Sequence, residues 1–267
     1  MKNFRKILAV LLVGIILGTF LAGCSASHKD WEEIGPKGKM IIGVTPYPPM
    51  NYQDADGKWI GFESEFAEAV CEILGVTAEF IEIDWNSKEA ELKAKNIDAV
   101  WNAMTITEER AKEMDISIAY MGNRPVIIVR AEDAEKYQTA DDLEGISLVA
   151  EMGSTLEELI QGNEFFVKAN YTAVDKKLTG LLEVKSGTSD MTAIDYVMAV
   201  DTLAEGGDYA DLVYVDKNFP QEEFGIAFRK SSPDTLEKVN EAIKQLQDSG
   251  KLQEIADKYG VGDLLIK

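Results

Sequence analysis

The hydrophobic positions of this chain follow two periods in alternation, one typical of strands and one typical of helices. Short apolar runs that end at proline, glycine or aspartate predict strands, and longer segments with apolar side chains at helical spacing predict helices. In the first part of the chain the order is strand, helix, strand, helix, strand, at 39–45, 62–74, 77–83, 86–95 and 99–101. This order predicts parallel strands joined by right-handed crossovers.

A second set of the same units follows the first. Its predicted strands are 126–130, 146–149, 170–174 and 191–193, and its predicted helices are 155–161, 176–185 and 195–205. Asp98 and Asp190 occupy equivalent places, since each follows a helix and a turn and opens an apolar strand. The tail adds strands at 212–215 and 223–228 and amphipathic helices at 234–247 and 251–259. We therefore predict an α/β protein with two similar lobes, each a mainly parallel sheet flanked by helices.

The first residues have the pattern of a targeting segment. Lys2, Arg5 and Lys6 precede the apolar run 7–20, which is short for a membrane-spanning helix and typical of a signal peptide. The sequence Leu-Ala-Gly-Cys that ends at Cys24 resembles the bacterial lipobox, in which the cysteine is acylated. An uncleaved anchor is the alternative. Both interpretations place the rest of the chain outside the cytoplasmic membrane, after a polar tether assigned to residues 25–35.

Charge and composition exclude several classes of function. The formal charge is −20 over 267 residues, and a surface this acidic would repel nucleic acid and anionic lipid heads. His28 is the only histidine, which excludes Ser-His-Asp or Cys-His catalysis and a histidine-rich metal site. If Cys24 carries lipid, Cys71 has no partner and is predicted to be a buried thiol without a disulfide. We expect no cofactor and no metal.

Three segments carry candidate binding chemistry. In WNAMTITEER, which ends at Arg110, a strand leads into a helix capped by Thr107. Ligands bind at such strand ends in open α/β sheets, and a guanidinium matches a carboxylate in two parallel bonds. A second helix start, Gly-Ser-Thr-Leu-Glu from Gly153, has the form of a capping box and offers N–H groups to an anion. Asp195 follows a third apolar strand. Ordinary caps and a solvated arginine are the alternatives.

The segment IDAVWNAMTITEERAKEMDISIAY, residues 97–120, resembles the ligand-binding core of the polar amino acid substrate-binding proteins of ABC importers. The run GTSDMTAIDYVMA, residues 187–199, resembles the G-R-x-D-A-x-x-x-D pattern of that family, with Thr188 in place of its arginine. The family has the type 2 periplasmic-binding-protein fold. The resemblance implies one lobe from 36–122 and 219–267, another from 123–218, and a hinge of two crossing strands near 122–124 and 217–220.

The resemblance also implies the roles of single residues. Arg110 and Thr105, with the loop at Ser154 and Thr155, would bind the carboxylate of an L-amino acid, and Asp195 would bind its ammonium group. The residues assigned to its side chain, or placed beside it, are Tyr47, Trp85, Asn102, Ala103 and Glu151. Glu151 would favour a basic or amide side chain, or would pair with Arg110.

The lipobox and the family resemblance together imply a lipid-anchored, monomeric receptor that delivers a polar or basic amino acid to an ABC permease. The alternatives are a sensor domain and a dehydratase-like enzyme that uses Glu151 with Asp195.

Overall fold

The computed structural model describes residues 29–217 and 219–266. The predicted signal sequence, the lipobox with Cys24, and His28 lie outside these residues. Within the described part of the chain, no helix is both long and apolar enough to cross a membrane.

The order of strands and helices agrees with the alternation predicted from the sequence. The strands are β1 (Lys39–Val44), β2 (Tyr52–Gln53), β3 (Trp59–Ile60), β4 (Thr77–Glu82), β5 (Ala99–Thr105), β6 (Met114–Ile116), β7 (Met121–Asn123), β8 (Pro125–Arg130), β9 (Ser147–Glu151), β10 (Asn170–Val174), β11 (Met191–Asp195), β12 (Leu212–Val215) and β13 (Glu222–Arg229). The α-helices are α1 (Trp31–Lys37), α2 (Phe62–Leu74), α3 (Lys88–Lys93), α4 (Glu108–Glu113), α5 (Thr155–Gly162), α6 (Lys177–Ser186), α7 (Tyr196–Thr202), α8 (Pro233–Asp248) and α9 (Lys251–Lys258).

Two mixed sheets form the centres of two lobes. The first sheet has the strand order β4-β1-β5-β13-β6, with β7 also paired to β13, and the second has the order β10-β9-β11-β8-β12. Three neighbouring strands of each sheet are parallel, as predicted. Every antiparallel pair in these two sheets involves β8 or β13. The sheets are therefore mixed rather than mainly parallel, because β8 and β13 enter directly from the other lobe without a crossover helix.

Asp98 and Asp190 play the same structural role in the two lobes. Asp98 Oδ2 accepts a hydrogen bond from the backbone N–H of Ile41 at 2.9 Å, and its Oδ1 lies 3.0 Å from an Arg229 nitrogen. Asp190 Oδ2 accepts from the backbone N–H of Ser147 at 2.9 Å, and its Oδ1 lies 3.2 Å from an Arg130 nitrogen. Each aspartate thus joins the strand it opens to the neighbouring parallel strand, as expected for two similar lobes.

The chain passes between the two sheets twice. The first passage leads from β7 to β8 and the second from β12 to β13. β7 and β13 pair in antiparallel register, with Asn123 opposite Glu222. Arg124 in the first passage donates to Asp216 of the second at 3.0 Å, and its guanidinium lies 3.7 Å from the ring centroid of Tyr196. The two passages therefore lie side by side, as a two-strand connection between the lobes.

Helix α2 shows how the apolar spacing is used in the first lobe. It spans the predicted residues and ends at Gly75, whose φ of 72° is the left-handed conformation that glycine adopts most readily. Phe66 is fully buried and meets the ring of Trp101 edge-on at 5.0 Å. Cys71 is a buried free thiol, and burial raises its pKa to about 12. Ile73, predicted on the same face, is 39% exposed, whereas Phe66 and Val70 of that face are fully buried.

Residues 31–35, assigned to the tether, form most of helix α1 instead. Ile34 is buried in the core of the first lobe, and Asp30 is buried against the guanidinium of Arg229. Arg229 also donates to the carbonyl oxygens of Leu92 and Ile97 at 3.0 and 2.6 Å. The tether prediction was wrong for these residues, because Trp31 and Ile34 pack against the core and a buried ion pair of Asp30 holds the start of the helix.

Candidate functional site

Arg110 lies in the gap between the two lobes, one turn into helix α4. The hydroxyl oxygen of Thr107 accepts a hydrogen bond from the backbone N–H of Arg110 at 3.1 Å, which confirms Thr107 as the helix cap. The Arg110 guanidinium donates to the Thr105 carbonyl at 2.8 Å and lies 5.8 Å from the ring centroid of Trp85. Burial lowers the pKa of Arg110, and nearby carboxylates only partly oppose this. Among the described residues, no carboxylate oxygen forms an ion pair with it within 4.0 Å.

The loop before helix α5 closes the gap from the second lobe. The carbonyl oxygen of Gly153 accepts from Lys88 at 3.2 Å and makes a longer contact, 3.4 Å, with Arg110. Ser154 caps the helix, since its hydroxyl oxygen accepts from the backbone N–H of Glu157 at 3.1 Å. The hydroxyl groups of Thr155 and Thr105 lie 3.4 Å apart across the gap. The first N–H groups of a helix have no partner within the helix, so this loop can bind an anion.

Asp195 ends strand β11 and is 2% exposed. Its Oδ1 accepts from the Asn123 amide at 2.7 Å, which joins it to the hinge. Its Oδ2 lies 2.7 Å from the ammonium nitrogen of Lys177. That nitrogen also lies 4.4 Å from the ring centroid of Tyr47. Tyr47 is 1% exposed, and burial, together with the charge of Asp195, holds its pKa well above the ordinary value.

Glu151 faces Lys177 rather than Arg110. Its Oε2 lies 3.7 Å from the Lys177 ammonium nitrogen, and its side chain is 4% exposed. Burial raises the pKa of Glu151, while Lys177 acts to lower it. The two carboxylates proposed for a dehydratase-like reaction, Glu151 and Asp195, thus share one cation. The predicted pairing of Glu151 with Arg110 was wrong, because the lysine at the start of α6 is closer.

Trp85 lies beside two cations of the first lobe, Lys88 and Arg110. The ammonium of Lys88 lies 4.8 Å from the Trp85 ring centroid, on a lysine that is 3% exposed. Burial and the charge of Arg110 lower the pKa of Lys88. Trp85 is itself buried and packs against the apolar cluster that contains Leu92 and Met104. The Trp85 ring therefore faces the Arg110 guanidinium and also belongs to the core of the first lobe.

Glu222 and Asn123 place further polar groups where the hinge meets the gap. Glu222 Oε2 accepts from the Thr105 hydroxyl at 3.1 Å and from the Asn123 amide at 3.2 Å. Burial and the charge of Asp195 raise the pKa of Glu222. The Asn123 amide therefore lies between two carboxylates and keeps them apart.

Asn102 and Ala103 lie behind the gap, in a buried polar network of the first lobe. The Asn102 side chain bonds to the backbone N–H of Thr45 at 2.9 Å and to the Asn51 amide at 3.0 Å. Its amide donates to the Thr45 hydroxyl at 2.7 Å. Ala103, at a φ of 48°, donates its N–H to both Glu63 oxygens at 2.9 and 2.8 Å. These bonds use the Asn102 carbonyl oxygen and one of its two amide N–H groups, so a ligand contact by Asn102 stays a prediction.

Sequence reasoning missed four residues of the gap: Lys88, Asn123, Lys177 and Glu222. One signal could have found Lys177. It follows strand β10, and carboxyl ends of parallel strands meet at the same edge of a sheet. Lysines in an amphipathic helix are mostly exposed, so composition alone gave no reason to select it.

The site can be reached only when the lobes separate. Arg110, Glu151, Lys177 and Asp195 are each at most 9% exposed. Their gap is spanned by contacts between the lobes, among them the exposed ion pair of Lys176 with Glu82 at 2.7 Å. Because the two passages lie side by side, a small rotation about them would open the gap on its far side. The arrangement suits a small ligand that carries both charges and is enclosed between two lobes.

Comparison with known proteins agrees with this geometry. The model of bacterial extracellular solute-binding proteins, family 3, matches residues 40–262. The L-cystine-binding protein TcyJ of Escherichia coli strain K12 is 31% identical over 95% of this chain and 96% of its own length. The arginine-binding extracellular protein ArtP of Bacillus subtilis is 30% identical over 95% and 98%. The crystal structure of an ABC uptake transporter substrate-binding protein from Streptococcus pneumoniae with bound histidine superposes with a TM-score of 0.83 at 30% identity, over 91% and 100%.

The chain therefore belongs to the bacterial extracellular solute-binding proteins of family 3. Membership in this family implies that the protein works outside the cytoplasmic membrane. The two-lobed type 2 periplasmic-binding fold predicted from the sequence is confirmed by the family match and by the superposition.

Proposed function

We propose that this protein binds a free L-amino acid between its two lobes and presents it to an ABC permease. Arg110, with Thr105 and the helix start at Ser154 and Thr155, holds the α-carboxylate. Asp195 takes the α-ammonium group. Tyr47 and Trp85 form the apolar walls, and Glu151 lies beside the ligand side chain. The lobes are residues 36–122 with 219–267, and 123–218, and the segment from Trp31 joins the first of them.

The observation that carries this proposal is that the Arg110 guanidinium is buried without an ion-paired carboxylate among the described residues. A guanidinium in a gap of low dielectric is costly unless a carboxylate neutralises it. The described part of the chain offers Arg110 carbonyl oxygens and an aromatic ring, but no ion-paired carboxylate. A ligand carboxylate supplies the missing charge in a bidentate geometry. The same ligand carries an ammonium group, for which the buried Asp195 on the opposite lobe is the counter-ion.

The remaining parts of the proposal concern location and partners. The protein is anchored by a lipid on Cys24 and is monomeric, and it has no catalytic residues. Glu151 and Asp195, the pair considered for a dehydratase-like reaction, are assigned to charge pairing, because they lie 3.7 and 2.7 Å from the Lys177 ammonium nitrogen. A sensor that passes its signal to a separate receptor would use the same closure, so it differs only in the partner.

A thermal-shift screen of the purified protein against the common L-amino acids and cystine tests the proposal. A ligand at roughly a hundred times its dissociation constant adds about 2.7 kcal/mol to the free energy of unfolding. At least one amino acid should raise the melting temperature, while its amide and its deaminated analogue should not. Arg110→Met and Asp195→Asn should each remove the shift. Lys168→Met, which changes an exposed ion pair of the second lobe with Asp141, should retain it. A screen in which nothing shifts would contradict the proposal.

A further inference from the structure

The charged side chains at the gap include both signs before any ligand binds. The cations at or beside the gap are Lys88, Arg110 and Lys177, and the carboxylates that face the gap are Glu151, Asp195 and Glu222. Lys88 also lies 3.6 Å from Glu89, and Glu158 acts on Arg110 from nearby. The head group of an amino acid adds one positive and one negative charge, so its binding leaves the net charge of the site unchanged. The net charge of the ligand side chain is therefore the change in charge that the enclosed site must accommodate.

Lys177 already occupies the place next to Glu151 and Asp195 that a positively charged ligand side chain would need. Its ammonium nitrogen lies 2.7 Å from Asp195 and 3.7 Å from Glu151, above the ring of Tyr47. Burial would lower the pKa of Lys177, but the two carboxylates outweigh burial and raise it, so the lysine is charged. It is the first residue of α6 and 9% exposed, so its reach into solvent is limited.

Asp195 can bind Lys177 and a ligand ammonium group together. Glu151 already lies near two cations, so it attracts a third one less strongly. A carboxylate has about four acceptor sites, and Asp195 uses one for Asn123 and directs one oxygen at Lys177. Glu151 already experiences the positive charges of both Lys177 and Lys88. A guanidinium or ammonium on the ligand side chain would approach Glu151 against those two like charges, in a region where charge repulsion is weakly screened.

We propose that Lys177 is a specificity-determining residue which excludes amino acids with a cationic side chain, so that the site selects neutral polar ones. This inference rests on the proposed amino acid binding. It narrows the expectation from sequence, in which Glu151 alone favoured a basic or amide side chain. It also separates this protein from a relative such as ArtP, whose name assigns it arginine.

The test compares L-arginine with L-citrulline, which has nearly the same shape but a neutral side chain. Dissociation constants are measured by calorimetry, or by competition with an amino acid found in the screen. The wild-type protein should bind citrulline about tenfold more tightly than arginine, or better. Lys177→Met should shift this ratio towards arginine by about tenfold or more. Lys177→Met with Glu151→Gln, which removes one charge of each sign, should return the ratio towards that of the wild type.

Lys168→Met is the matched control, because it removes a lysine of the same lobe far from the gap and should leave the ratio unchanged. If the wild type binds neither compound, the deciding result is a gain of arginine binding by Lys177→Met, or by Lys177→Gln where the first variant does not fold. A wild-type protein that prefers arginine, or a folded Lys177 variant that keeps the wild-type ratio, would overturn the inference. Such a result would leave amino acid binding intact, whereas failure of every amino acid in the screen would remove the proposed function itself.

Discussion

The fully buried Glu63 gives the sharpest prediction about stability. Its carboxylate accepts hydrogen bonds from the Ala103 N–H, from the Asn51 amide at 3.0 Å and from the Tyr120 hydroxyl. Burial nevertheless dominates and raises the pKa of Glu63 from 4.5 to about 7. The folded state therefore holds this proton more tightly than the unfolded chain does. Stability from this group is fully present below pH 4.5 and is lost as the pH rises towards 7.

A shift of this size corresponds to about 3 kcal/mol of unfolding free energy between pH 4 and pH 8. Glu63→Gln removes the titration. Urea denaturation of both proteins across that range should therefore show the variant gaining about 3 kcal/mol relative to the wild type as the pH rises. Other titrating groups are common to both proteins and cancel in the difference.

Glu65→Gln on the same helix is the matched control. Burial alone would raise the pKa of Glu65, but hydrogen bonds from Lys258 and Tyr259 lower it. Glu65→Gln should therefore lose free energy of unfolding relative to the wild type as the pH rises, the opposite of Glu63→Gln. If the free energies of unfolding of the wild type and Glu63→Gln differ by a constant amount from pH 4 to pH 8, the reasoning is refuted.

Three further predictions concern single contacts. Arg229→Met leaves Asp30 and Asp98 buried without their shared cation. Urea denaturation should therefore show that the free energy of unfolding falls by about 3 to 5 kcal/mol. A fall near zero would mean that this ion-pair network does not stabilise the fold. Gly153→Ala places a methyl group across the gap, 2.8 Å from the Asn86 amide oxygen and 3.4 Å from its Cα, so the Asn86 side chain must turn away before the lobes can close. Gly145→Ala has a similar positive φ and open space around it. Calorimetry should show weaker ligand binding for the first variant only, and equal binding by both would exclude a steric block to closure. Cys71, buried and with a pKa raised to about 12, should react with a thiol reagent at pH 8 only after denaturant is added; rapid reaction of the folded protein would contradict its burial.

Much of the fold could be predicted because local signals and long-range packing agree. Helix α2 has apolar residues at helical spacing and a glycine at its end, and the structure uses both. Thr107 and Ser154 cap helices because hydroxyl groups that precede a helix accept its free N–H groups. Arg110 and Asp195 could be selected because each stands where a core strand ends.

The rest of the site depends on partners that are distant in the sequence. Asn102 alternates with the buried Trp101 and so could face the gap, but Thr45 and Asn51 engage its side chain from other segments. Lys177 contacts Glu151 and Asp195 because α6 packs against β9 and β11, and its sequence position after β10 does not specify these two partners. Glu222 reaches the site because β13 returns to the first sheet opposite Asn123, and no local pattern encodes that register. Helix α1 was missed for a similar reason, since its anchor, Arg229, lies at the other end of the chain.

The account depends on two side chains, one from each lobe, that bind opposite ends of one amino acid. A crystal structure of the protein with an amino acid identified in the screen measures this directly. We expect the α-carboxylate within hydrogen-bond distance of the Arg110 guanidinium and the α-ammonium group within the same distance of Asp195, with both lobes closed over the ligand. An amino acid bound elsewhere, or one whose ammonium group meets neither oxygen of Asp195, would contradict the account.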